Sequence, residues 1–182
     1  YNKSNSEFDI CCRNTQPEPA KPKTPNIPEF HKETFTNGLK TIFSQTNEIP
    51  KVYLRLKING GSLLENGKKV GVASLTAQMM NESTLNKSSE IISVELQKLG
   101  STINFSSEGE VTTLYIESLT ENLSKTLNIA AEKLFYPAFN QDDFERIKKS
   151  NIEGLESMKK NSQYLGQTAL ANVLFGDTPY GR

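Results

Sequence analysis

The feature that most narrows the fold is "KVYLRLKIN", residues 51–59, where Val52, Leu54, Leu56 and Ile58 alternate with Tyr53, Arg55 and Lys57. Successive side chains of a strand point to opposite faces, so this run encodes a strand with one apolar and one polar side. A sheet of such strands needs cover on one face only. Two further runs fit it: "STINFSS", and "VTTLYIES" with Val111, Leu114 and Ile116 as its apolar residues. Upstream, "ETFTNGLKTIFSQ" is expected to form a hairpin with Asn37-Gly38 as its tight turn. Gly60-Gly61 reads as a turn that ends the strand. No Lys-Ser/Thr pair or helix start follows, so it is not a phosphate loop.

Helices supply the cover. "GVASLTAQMM" predicts a helix from Gly71 to about Asn81, with Val72, Leu75, Met79 and Met80 packing on the sheet. In "SSEIISVELQKLG", Ser88 is the expected N-cap, Ile91, Ile92, Leu96 and Leu99 form the stripe, and Gly100 is the stop. "SLTENLSKTLNIAAEKLFYP" opens with Ser118 and Glu121 at capping-box spacing, carries Leu123, Leu127, Ala130, Ala131 and Leu134, and closes at Pro137. "NQDDFERIKKSNIEGLESMKKN" is capped by Asn140, with Asp142 and Asp143 in its first turn, and "LGQTALANVLFG" is a shorter helix ending at Gly176. The expected order is ββααββααα: an α+β domain with helices packed on one face of a mainly antiparallel sheet.

The 182 residues suffice for one domain and a tail. Residues 1–33 read as a linker, because Pro17, Pro19, Pro22, Pro25 and Pro28 favour extended polyproline geometry. The domain then covers residues 34–182. A chain that starts at Tyr1 is expected to be a mature form or an excised fragment. Its 21 basic residues balance 21 acidic ones, which argues against nucleic acid or an anionic membrane as partner. No apolar run approaches the roughly 18 residues of a membrane span. Cys11 and Cys12 are neighbours in the tail and give no disulfide framework. The single histidine, His31, is placed in the linker. A zinc hydrolase site needs three good protein ligands, mostly imidazole or thiolate, so no metal site and no cofactor are expected in this chain.

The segments "NGLKTIF", "GGSLLE", "GVASLTAQMM", "LQKLGSTINFSSEGEVTTLYIESL", "ENLSKTLNIAAEKLFYPAFNQDDFERIK" and "ALANVLFGDTPYGR" occur in this order across residues 35–182. Together they resemble the pitrilysin and insulinase metallopeptidases. Active members carry His-x-x-Glu-His on the first helix, with a further zinc-ligating Glu on a later one. Two His four residues apart share one helical face and one Zn²⁺, and the intervening Glu takes the proton of the bound water. On this chain those positions fall at Ser74, Ala77 and Gln78, and the distal ligand at Gly154 between Glu153 and Glu156. The resemblance therefore implies a degenerate motif and no catalytic residue.

It also implies a way of working. Active members enclose a chamber between a zinc-bearing half and a degenerate half. This chain is expected to be the non-catalytic half or subunit, closing the chamber and contacting an unfolded peptide while zinc lies only in an active partner half. The family offers a free strand edge to peptide, which here puts Asn104, Phe105, Ser106 and Ser107 in the contact region; a covered or unused edge is the alternative, and the favoured one. The Pro-rich lead favours the second half of a two-half chain over a separate subunit, and the domain is expected to lack its C-terminal strands. The alternative is a structural or assembly protein of the same fold with no part in proteolysis. A self-sufficient enzyme of other chemistry would need clustered Ser, Lys and Asp, which are scattered here.

Overall fold

Five strands and five helices follow in the order βββααββααα in a computed structural model that describes residues 28–46, 48–65 and 69–181. Most of the expected linker, with Cys11 and Cys12, lies outside the described residues. The chain divides into two compact units between residues 47 and 48. The first contains a hairpin of β1 (His31–Thr34) and β2 (Lys40–Phe43), in register from His31↔Phe43 to Thr34↔Lys40. Its two arms account for the strand added to the expected order.

The hairpin differs from expectation at two points. Its connection is the three-residue loop Thr36-Asn37-Gly38, bracketed by the Phe35 N–H bond to Leu39 O at 2.9 Å. Gly38 donates to Phe35 O and alone adopts positive φ, at +85°. A two-residue tight turn needs both central residues there, whereas a turn plus one left-handed glycine needs only Gly38. His31 is the other: it opens β1 rather than ending a linker, and its ring stacks on Phe43 at 5.2 Å.

In the second unit, β3 (Lys51–Asn59), β4 (Thr102–Glu108) and β5 (Val111–Leu119) form an antiparallel sheet in the order β3-β5-β4. The register aligns Leu54, Ile116 and Ile103 across the sheet, and next to them Leu56, Leu114 and Phe105. With Ala77, Ile92, Ile129 and Ala130 from the helices, the buried members of these rows form the core. Each fully buried Ile, Leu or Phe stabilises by about 1.5–3 kcal/mol, so this face holds the unit together. The opposite face is polar: the Arg55 guanidinium lies 5.6 Å from the centre of the Tyr115 ring, and Lys51 Nζ sits 2.6 Å from Glu117.

The helices are α1 (Val72–Met80), α2 (Ser89–Leu99), α3 (Leu123–Phe135), α4 (Gln141–Met158) and α5 (Ser162–Phe175). Three expected faces are met only in part. On α1, Ala77 and Met79 are buried and Val72 is exposed. On α2, Ile92 is buried and Ile91 exposed. On α3 the inward residues are Thr126, Ile129, Ala130 and Lys133, while Ala131 is exposed and Leu127 borders on it. On α5 no residue is buried. Ser118 does not cap α3. It lies next to last in β5, fully buried, and its hydroxyl meets Thr126 Oγ1 at 3.0 Å and Ser101 Oγ at 3.1 Å. Asn140 and Ser88 occupy N-cap positions without a side-chain cap bond, whereas Asn161 caps α5 through Gln163 N and Tyr164 N.

Gly61 fixes where the β4–β5 turn sits. Its N–H and that of Gly60 both donate to Glu110 O, and a Cβ on Gly61 would fall 2.3 Å from Gly109 O and 2.4 Å from Val111 N. Only glycine permits that approach.

Candidate functional site

The site of interest is α1 and the strand edge beside it. Both ends of α1 are tied by charged groups outside the helix, one close in sequence and the other 52 residues from the position it binds. At its start the Glu65 carboxylate accepts from Gly71 N at 2.6 Å and from Ala73 N at 2.5 Å, satisfying free helical N–H groups and favouring the positive end of the dipole. At its finish Lys133 Nζ donates to Asn81 O at 2.6 Å and to Glu82 O at 3.1 Å. Lys133 is 3% exposed, and burial pushes its pKa below the usual lysine value, with the nearby Glu82 carboxylate opposing.

Between these anchors stand the three motif positions. Gln78 Nε2 donates to Ser74 Oγ at 3.2 Å, so the two side chains that share a helical face satisfy each other. Ala77 is 1% exposed and belongs to the core. Zinc is the metal that a family of this kind implies, and the donor set does not fit it. A hydroxyl and a carboxamide are poor ligands for Zn²⁺, and Ala77 offers no base to a bound water. Gly154 lies on α4 on an exposed stretch that includes Glu153 and Glu156, with nothing within 4 Å of a Cβ built there. Glu153 stands 4.0 Å from Lys149. Among the described residues no group of three or more His, Cys, Asp or Glu is placed to hold a metal ion.

The four β4 residues divide by face. Phe105 is 2% exposed and packs in the core, while Asn104 is exposed on the polar side. Ser106 follows Asn104 in the alternation, and Ser107 turns back toward the helices, its Oγ buried with no partner among the described residues. Because β4 pairs with β5 alone among the described residues, its other edge faces away from the sheet. There Asn81 intervenes: its Oδ1 accepts from Phe105 N at 2.8 Å and its Nδ2 donates to Phe105 O at 2.8 Å.

Two other clusters bear chemical groups. The Ser101, Ser118 and Thr126 hydroxyls lie within 2.8–3.1 Å of one another. Ser118 and Thr126 are fully buried, and among the described residues these hydroxyls bond one another and backbone carbonyls rather than a base that would activate a nucleophile. Between α2 and α3 an open cavity of about 350 Å³ is lined by Lys87, Glu95, Lys98, Lys125 and Glu132. Lys87 is spoken for there, at 2.7 Å from Glu95 and 3.8 Å from Glu132. No described helix is long and apolar enough to cross a membrane.

Sequence reasoning missed Asn81, Glu65 and Lys133. Only Lys133 left a signal, its spacing of four and three residues from Ile129 and Ala130, which puts it on the buried face.

Comparison with known proteins bears on this arrangement. The family described as Insulinase (Peptidase family M16) matches residues 40–182. The non-peptidase homolog YmxG of Helicobacter pylori (strain ATCC 700392 / 26695) is 25% identical over 149 residues, covering 82% of this chain and 34% of that protein. Mitochondrial-processing peptidase subunit beta of Rattus norvegicus is 26% identical over 161 residues, covering 86% of this chain and 33% of that one. Among solved structures, a peptidase M16 inactive domain from Pseudomonas fluorescens is similar with a TM-score of 0.78 at 28% identity, over 84% of this chain and 37% of that one. The chain spans about a third of the length of the curated relatives it matches.

Proposed function

The chain belongs to the insulinase family, peptidase family M16, and from that premise we propose that it is a non-catalytic half or subunit of a zinc-dependent peptidase. In this reading the family domain begins with β1 at His31, three residues before the expected boundary at 34, and a linker precedes it. The domain closes a chamber whose zinc is held by an active partner half. It confines unfolded peptide by shape and charge, with Asn104, Phe105, Ser106 and Ser107 as the contact strand. One observation carries the reading. The face of α1 where a zinc site would stand holds a Ser74–Gln78 hydrogen bond and a core alanine, Ala77. Such a surface holds neither metal nor base. The likeness to a domain described as inactive and to a non-peptidase homologue supports the same conclusion.

Metal analysis of the purified protein tests it, followed by peptide cleavage with and without an active zinc-binding half of the family. The expected outcome is no bound zinc, no cleavage alone, and chelator-sensitive cleavage once the halves are joined. Stoichiometric zinc with chelator-sensitive cleavage by this chain alone overturns it. Stable association without cleavage assigns the chain to assembly instead.

A further inference from the structure

Strand addition needs a row of outward-facing backbone groups, and on β4 that row is interrupted at its centre. Outward groups recur every second residue of a strand. Phe105, whose N–H and C=O meet Asn81 rather than β5, fixes the parity: Ile103, Phe105 and Ser107 face the free edge, while Thr102, Asn104 and Ser106 face β5. The Asn81 carboxamide therefore stands where the peptide group of an added strand would stand, offering one acceptor and one donor, both at 2.8 Å. It is held firmly. Its Nδ2 also donates to Ala77 O at 3.2 Å, and its own carbonyl is gripped by Lys133 at 2.6 Å.

Resting on the reading of β4 as the peptide-contacting strand, we infer that Asn81 is an internal competitor for that edge: an extended peptide pairs with β4 only once the Asn81 carboxamide has left Phe105. With Asn81 in place, the remaining outward residues, Ile103 and Ser107, lie roughly 13 Å apart along the strand at about 3.3 Å per residue. No consecutive ladder spans that gap. Ser107, just past the lock, is the next residue whose backbone groups face the free edge. The occupant is an extended peptide whose residue opposite Phe105 retains its N–H, so proline is excluded at that position.

The test uses the ¹⁵N-labelled protein and its Asn81→Ala and Asn81→Asp variants, titrated with an unstructured ten-residue peptide lacking proline. Amide exchange of Phe105 and Ser107 is measured beforehand without peptide. In the wild type the Phe105 amide exchanges at least about 10-fold more slowly than that of Ser107, and in Asn81→Ala the two become equal. Asn81→Ala binds the peptide about 10- to 100-fold more tightly than wild type, with shifts at residues 103, 105 and 107. Asn81→Asp, of the same shape, keeps the Phe105 N–H bond but sets a carboxylate oxygen against Phe105 O, so it gains affinity as well. Equal affinity in wild type and both variants overturns the inference. Equal binding with shifts at β4 leaves the contact strand standing and removes only the lock; no binding by any of them removes both. Should Asn81→Ala fail to fold, wild-type exchange decides, since a Phe105 amide as fast as that of Ser107 refutes the lock.

Discussion

Replacing Lys133 by Met removes one charge from the interior and two hydrogen bonds from the end of α1. The bonds run from an ammonium to Asn81 O and Glu82 O, at 2.6 and 3.1 Å. A hydrogen bond to a charged group contributes about 1.5–3 kcal/mol. Methionine recovers part of this, because the desolvation of the buried ammonium disappears and water reaches the half-buried ends of the two carbonyls. The net expectation for Lys133→Met is a loss of about 2 kcal/mol, which for a unit of this size lowers Tm by roughly 6–10 °C. Urea and thermal unfolding at pH 7 measure it. The pH dependence has a definite sign. Burial lowers the folded pKa of Lys133 below the ordinary 10.5, so between that lowered value and 10.5 the unfolded chain binds more protons. Stability contributed by Lys133 therefore grows as pH rises through this window. The wild type pulls further ahead of Lys133→Met toward pH 10.5, and shifts at other lysines cancel in the difference. A variant as stable as wild type at pH 7, or a gap that narrows with rising pH, refutes the reasoning.

Two further outcomes follow from backbone geometry. Gly61→Ala drives a Cβ to 2.3 Å from Gly109 O, which only main-chain movement relieves, so it costs more than about 3 kcal/mol; an unchanged urea midpoint contradicts this. Asn161→Ala removes the side-chain cap on Gln163 N and Tyr164 N, at 2.9 and 3.2 Å, from a helix that buries no residue. It loosens α5 locally by about 1 kcal/mol, read as faster amide exchange in α5 with the sheet unaffected.

What the sequence disclosed was local. Strict alternation wrote β3, and β4 and β5 stand where their short apolar patterns put them. Helices began and ended within a few residues of their caps and glycines, since those signals depend on neighbours a few positions away. The faces of the helices were less legible. Periodicity ranks residues by hydrophobicity, but Thr126 and Lys133 are buried because partners dozens of positions away, Ser101 and the end of α1, satisfy their polar atoms. The candidate site divides in the same way. The scarcity of His and Cys was visible by counting side chains. The occupation of Phe105 by Asn81 was not, because it joins residues 24 positions apart that carry no shared local pattern.

The packing of α1 also has a historical meaning. A glutamate at position 77 would bury a carboxylate where 1% of the alanine now meets solvent, and a histidine at 74 or 78 would break the pair those residues form. Each single step toward a metal-binding helix therefore costs packing or a hydrogen bond on its own. Three or more substitutions must arrive together with repacking of the sheet. In the reading proposed above, this packing acts as a ratchet against a return to metal chemistry on α1.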